Sequence, residues 1–361
     1  MTPTPMFATG VDPDLVRLMR DVVADLSASD VDVQFEAHDP GRWETLDSLG
    51  LTRLTANEAS GGSGAGWRES AALLATAAEF GLGVPLVEHD LLAGWLREVA
   101  GLNPTVELST ACRVRSGRGA VAVPWVRSCS RMVVLSEQDG RWQVSDVPVR
   151  AVSLVSRSRP GSEARDLAQL DQCGMAGRTV PAETAHEFLL RGALARSIQT
   201  CSAMNSAVTS SVEHVHEREQ FGRRLSKFQV VQHLVAEAAA ESALAQAATE
   251  NALTAVVQNG FSDSSSTMAI ATARTCVGHA VASVVRTTHQ LHGALGTTRE
   301  HRLRQFTMPA LTWRNDYGSV RFWEDTLARA ALGRQGSDLW ALITDTPDRG
   351  SEQTLDLRGA D

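Results

Sequence analysis

The sequence predicts a mainly α-helical fold with a small central β domain between an N-terminal helical domain and a C-terminal four-helix bundle. Three observations carry this expectation. Apolar residues recur at helical spacing over the first hundred or so residues and again from about residue 182. Between them, from about Asn103 to Arg178, short β-branched runs alternate with turn residues. Hydrophobic residues make up 43% of 361, ample for an extensive core.

The N-terminal elements can be placed in order. Asp12 and Asp14 bracket a helix start, after which Leu15, Leu18, Met19, Val22, Val23 and Leu26 follow one stripe. A second helix is expected from about Arg42 to Leu49, stopped by Gly50, and a glycine-rich loop covers Glu58 to Gly66. An Ala/Leu-rich helix follows from about Trp67 to Phe80, and another from His89 to Val99.

In the middle region Val121–Trp125, Arg131–Leu135 and Trp142–Ser145 read as antiparallel strands, with Asp139-Gly140 as a hairpin turn. Beyond it, three long helices are expected at Thr184–His216, Lys227–Gln258 and Ser264–His292, then a shorter pair at about Glu300–Thr312 and Ser319–Leu332. In the second of these, Val231, Leu234, Val235, Ala238, Ala245, Ala248, Ala252 and Val256 form one stripe, and small residues on a packing face suit an antiparallel bundle. The expected domains are 1–102, 103–181 and 182–343, with a disordered polar tail at 344–361.

Composition excludes several functions. A net charge of −8 argues against a sequence-independent grip on nucleic acid and against a polybasic membrane surface. No leader and no apolar run long enough for a bilayer is evident, so the expectation is a cytoplasmic protein. The five cysteines form no C-x-x-C pair, and His214 and His216, two apart on a helix, lie on different faces, so no metal site is expected. Of the 34 basic residues all but Lys227 are arginine, a bias that points to a GC-rich genome; Tyr317 is the sole tyrosine.

Two glycine-bearing corners carry the chemical signal. Arg218-Glu-Gln-Phe-Gly222 lies between two long helices, where an arginine fork suits phosphate oxygens and a glycine permits close approach. Taken alone, it reads equally well as an ordinary helix-hairpin corner. Gln290-Leu-His-Gly-Ala-Leu-Gly296 forms a second corner. Placed at opposite ends of one bundle, the pair would suit a long, phosphate-containing ligand.

Over nearly its whole length the chain resembles the acyl-CoA dehydrogenase family. Trp43, Leu46, Leu49, Gly50, Leu51 and Leu54, then Glu58 and Gly61-Gly62-x-Gly64, fit its N-terminal pattern. Arg218-x-Gln220-Phe221-Gly222 with Leu225 and Phe228-Gln229 resembles its R-x-x-F-G stretch, and Gln290-x-x-Gly293-x-x-Gly296 followed by Glu300 its Q-x-x-G-G-x-G, with Ala294 replacing the second glycine. The resemblance implies FAD, with Arg218, Gln220, Phe221, Phe228, Gln229, Gln290, Gly293 and Ser319 as cofactor contacts, the Arg, Gln and Q-x-x-G segments serving a neighbouring subunit's flavin.

The departures are as informative. The family's T-E-P-x-A-G-S-D loop, which seats the flavin ring, has no counterpart between Gly101 and Pro181, a region also short for the family. The family's catalytic glutamate falls on Tyr317 of Asp316-Tyr317-Gly318-Ser319, and the alternative base position of some relatives falls at about Gly192. A phenol with a pKa of about 10 is a poor base at neutral pH. The chain is therefore similar to the non-catalytic subunits of actinobacterial hetero-oligomeric, α2β2, steroid- and lipid-catabolic acyl-CoA dehydrogenases. Such a subunit would clamp the FAD of a partner that carries the catalytic glutamate and works on an acyl-CoA. Two alternatives stay open: a self-sufficient homo-oligomeric enzyme using Asp316, and a flavin-free scaffold.

Overall fold

The structure, a computed structural model, describes residues 5–28, 39–114, 120–156, 164–170, 177–298 and 301–332. The tail at 344–361 and Glu300 lie outside the described residues. In the N-terminal region α1 (Pro13–Ala28) starts where the Asp12 carboxylate accepts the Asp14 N–H, and it buries Val16, Met19 and Val23. Asp39 caps α2 (Pro40–Ser48) by accepting the Gly41 N–H. In α3 (Trp67–Phe80) the Glu69 carboxylate accepts the Gly66 N–H, and a left-handed Gly81 ends the helix.

The helix expected at His89–Val99 departs from α-geometry. Residues Val87–Gly94 wind as a π-helix and only then continue as α4 (Trp95–Val99). The wider coil accommodates three consecutive buried polar side chains, Glu88, His89 and Asp90. Each meets a different partner: Glu88 the Arg196 guanidinium, His89 the Ser109 N–H, and Asp90 the N–H and hydroxyl of Thr55.

The β domain holds more strands than the three expected. One sheet has the order β1 (Ser109–Val114), β3 (Arg131–Gln138), β4 (Arg141–Pro148), β7 (Arg178–Val180). The other has the order β2 (Ala120–Pro124), β6 (Arg165–Gln169), β5 (Ser153–Ser156). The β3–β4 hairpin turns at Asp139-Gly140, both with positive φ, as its sequence requires. The three expected runs do pair antiparallel, β3 with β4 and β2 with β6, but a strand not foreseen, β1, runs parallel to β3 at one edge. A local alternation of strands and turns reports pairing between sequence neighbours, whereas β1 and β3 are separated by β2, which joins the other sheet. A separate small core forms around the buried Trp125, with Val123, Met132 and Val134.

The C-terminal region contains α5 (Glu183–Glu217), α6 (Gln229–Asn259), α7 (Ser264–His292), α8 (Leu303–Trp313) and α9 (Val320–Leu332). A two-residue-per-strand ribbon, β8 (Glu219–Gln220) and β9 (Arg223–Arg224), links α5 to α6. The stretch Ser264–Thr297 is long and apolar enough to cross a membrane by length and composition. It is instead the central helix of the bundle, packed on α5, α6, α8 and α9, with half of its most apolar window buried. The bundle shares one hydrophobic core with the N-terminal helices.

Two antiparallel hairpin connections make α5 and α7 parallel, so their C-termini share one end of the bundle. The His214 and His292 rings stack there, with centroids 4.5 Å apart. The two glycine corners are thus neighbours, which corrects the expectation of opposite ends.

Burial holds His89 neutral, pushed down to about 3, with its Nδ1 accepting the Ser109 N–H that fastens the helical region to β1. The unfolded chain binds a proton at His89 below about pH 6.5 and the folded chain does not until about pH 3, so this site removes stability as the pH falls through that window. His89→Gln, which keeps an acceptor but does not titrate, is expected to flatten the acid limb of a stability–pH profile measured by urea denaturation.

Candidate functional site

The loop between α8 and α9 enters the interior, carrying Asp316 and Tyr317. Arg165 of β6 grips the Asp316 carboxylate with both Nη groups, at 2.7 and 2.8 Å, and Arg196 Nε of α5 reaches it at 3.2 Å. Arg196 also donates to Gln199 at 2.7 Å and to Glu88 at 2.5 Å, and its guanidinium lies over the Trp313 ring. Buried Arg274 of α7 lies within hydrogen-bonding distance of the carbonyl oxygens of Trp313, Arg314 and Asp316, fixing the loop backbone. Burial opposes the Asp316 charge, but Arg165, Arg196 and Arg274 outweigh it and hold the carboxyl below its ordinary range. Burial in turn pushes the Arg274 guanidinium down to about 10.

Tyr317 has a left-handed backbone and lays its ring on Gly192 of α5. A methyl group built at Gly192 would stand 2.3 Å from Tyr317 Cδ1. The two base positions singled out in the sequence are therefore in contact: at one stands a ring, and at the other there is room only for a hydrogen. Burial, with the nearby Glu88 charge, raises the phenol well above its ordinary range, so it is no proton acceptor near neutrality.

The expected cofactor contacts gather elsewhere. Arg218, Gln220, Phe221 and Gln229 are exposed at the α5–α6 connection, and Gln290 and Gly293 are exposed at the end of α7. The Phe221-Gly222 turn has positive φ at both residues, the geometry of a type I′ hairpin, and leaves the Phe221 ring 89% exposed. Phe228 sits beneath, its ring covered by the Arg223 guanidinium at 4.0 Å and 6.1 Å from Phe221. Among the described residues no side chain pairs with the Arg218 guanidinium, and nothing lies within 4 Å of a methyl group built at Gly222 or Gly293. Ser319 stands apart from this group, some 40 Å away by helix rise. It follows Tyr317 in the inner loop, where its hydroxyl accepts the Phe322 N–H at the start of α9.

Sequence reasoning missed Glu88, Arg165, Arg196 and Arg274. In an arginine-rich chain an isolated arginine in a strand such as Arg165 carries no signal. Arg196 and Arg274 do: each interrupts a run of small and apolar residues in a long helix, where a charge must be buried and met.

Residues 182–331 match the family of the acyl-CoA dehydrogenase C-terminal domain. Over that C-terminal part the chain is similar to the acyl-CoA dehydrogenase family. It is 24% identical over 345 residues to the acyl-CoA dehydrogenase IpdE2 of Mycobacterium tuberculosis, covering 91% of this chain and 98% of that one. Its fold is similar to a chain of the ChsE4-ChsE5 complex from Mycobacterium tuberculosis, with a TM-score of 0.79 and 18% identity over 92% of this chain and 99% of that chain. It is also similar to a chain of the Tcur3481-Tcur3483 steroid ACAD (G363A variant), with a TM-score of 0.72, 19% identity and coverages of 92% and 98%. The mainly α architecture with a small sheet is the acyl-CoA dehydrogenase fold.

The inner loop is tied into the surrounding ion-pair network. Asp316→Ala takes the carboxylate from Arg165 and leaves Arg196 with Glu88 and Gln199, and is expected to cost about 3–5 kcal/mol in chemical denaturation. Gly192→Ala forces the Tyr317 ring aside, at about 1–3 kcal/mol.

Proposed function

We propose that this chain is the non-catalytic subunit of a hetero-oligomeric, α2β2, FAD-dependent acyl-CoA dehydrogenase in the cytoplasm. One observation carries the reading: the positions that could present a base are spent on structure. Removal of the α proton of an acyl thioester needs a free carboxylate near its working pKa, shielded from water. Tyr317 and Gly192 provide none, and Asp316 is saturated by Arg165 and Arg196. A self-sufficient enzyme using Asp316 would have to break that bidentate pair in every turnover.

The other half of the site is intact and open. A guanidinium unpaired among the described residues, exposed amides and two unobstructed glycines fit the diphosphate and adenine of a dinucleotide. Arg218, Gln220, Phe221, Phe228, Gln229, Gln290 and Gly293 would hold those parts of an FAD whose ring lies in the partner subunit. FAD, when bound, supplies the hydride acceptor for the β carbon. In this reading the present chain orients the cofactor, and the partner, an acyl-CoA dehydrogenase subunit with its own glutamate, takes the proton. The fold's likeness to a chain of a two-component complex supports such a partner, and its likeness to a steroid dehydrogenase supports a steroid side-chain thioester as substrate.

Expressed alone, the chain is expected to be colourless and inactive. Co-expressed with a full-length acyl-CoA dehydrogenase homologue from the same genome, it is expected to give a yellow complex whose flavin content falls several-fold on Arg218→Ala or Gln290→Ala without change in melting temperature. A single chain that purifies with stoichiometric FAD and turns over refutes the reading. A complex without flavin, indifferent to Arg218→Ala, supports the scaffold alternative.

A further inference from the structure

The end of the bundle that carries both corners is also where histidines collect. His214 stands in the last turn of α5, four residues before Arg218; His292 ends α7, two residues after Gln290. Their rings stack at 4.5 Å with a 21° interplanar angle, and His301 meets His292 edge-on at 4.9 Å. His289 lies one turn before His292 and shares its Nε2 with the Thr307 hydroxyl at 3.0 Å. His292 is 4% exposed; its Nδ1 faces the Thr288 carbonyl at 2.9 Å, and its Nε2 is buried without a partner among the described residues. The charged groups facing the cluster are Glu217 and Arg218 from α5 and Arg304 from α8.

The electrostatics of this end are unusual. Two long helices finish side by side, so two sets of carbonyl oxygens present their negative ends together. Neither last turn contains a lysine or arginine; the basic residues there are His214 and His216, and His289 and His292. The N-terminus of α6 at Gln229 lies at the same end with the opposite sign, and a diphosphate brings two negative charges there, one of which Arg218 offsets. Arg223 and Arg304 stand at the same end, and a protonated imidazole within the two last turns adds to them. Without an anion, burial and the neighbouring rings hold His214, His289 and His292 below the ordinary imidazole range, with His292 pushed down to about 4. An anion beside Arg218 reverses the balance by favouring the charged form.

Resting on the clamp reading above, we propose that the His214–His292–His301 cluster takes up a proton when this end of the bundle receives a diphosphate, so that dinucleotide seating by this chain is proton-linked. The proton comes from solvent and only an N–H bond forms. By linkage, affinity rises as the pH falls, because the bound state holds more protons than the free one.

The test uses the full chain and ADP-ribose, whose diphosphate diester does not titrate over the range measured. Calorimetry in buffers of different ionisation enthalpy is expected to show proton uptake on binding, and the dissociation constant to tighten about tenfold from pH 8 to pH 5.5. His292→Phe, which keeps an aromatic ring against His214, is expected to remove that pH dependence. Arg218→Ala is expected to weaken binding at every pH. Should His292→Phe not fold, the imidazole resonances of the unaltered chain answer the question, since ADP-ribose must move their titration upward. A dissociation constant independent of pH, or no binding, overturns the inference. Flavin retained by the complex with pH-independent affinity also overturns it while leaving the clamp standing. Proton-linked binding of ADP-ribose beside a flavin-free complex supports the inference and defeats the clamp.

Discussion

Asp316 can keep its charge inside the protein only if cations follow it there, and each cation that does so comes from a different part of the chain. Arg165 arrives from the β domain, Arg196 from α5 and Arg274 from α7, while Glu88 of the π-helical segment closes the cluster from the N-terminal domain. Removing such charges from water costs several kcal/mol per ion, so the arrangement is stable only when every member is present. The relative placement of the three regions is therefore written into one side-chain network. The π-helical turn, the buried arginines in otherwise apolar helices and the left-handed Tyr317 all become intelligible as its requirements.

The same network divides the molecule functionally. Its centre, where an acyl thioester would need space and a free base, is occupied by ion pairs and a tyrosine ring. Its far end, about seven helical turns along α5 by rise per residue, is exposed, polar and conformationally prepared by the Phe221-Gly222 turn. A filled interior and an open, polar far end are what the proposed clamp role would require.

Much of this was legible in the sequence, for reasons that differ by element. The long helices were readable because apolar spacing and their stops, Gly260 and Gly293, are local properties. The Asp139-Gly140 hairpin was readable because that pair suits the backbone its turn demands. The parallel β1–β3 edge was not, since it depends on a strand that leaves for another sheet. The corner motifs were visible as residue patterns, but their adjacency followed only from counting helix directions, which the stacked His214 and His292 make plain. The tyrosine at the expected base position was visible too. That it touches the other candidate position was not, because Gly192 and Tyr317 are far apart in sequence and joined only by the fold.

That contact also bears on whether the present state can be undone. A carboxylate restored at Gly192 collides with the Tyr317 ring, so it needs the ring removed first. A carboxylate restored at Tyr317 enters a cluster in which Arg165, Arg196 and Arg274 face Glu88 and Asp316, leaving one positive charge in surplus. It would be held ionised and feebly basic, stabilising the loop rather than serving chemistry. Each single step back leads to a clash or to a tighter ion cluster, and so the loss of a base here behaves as a ratchet.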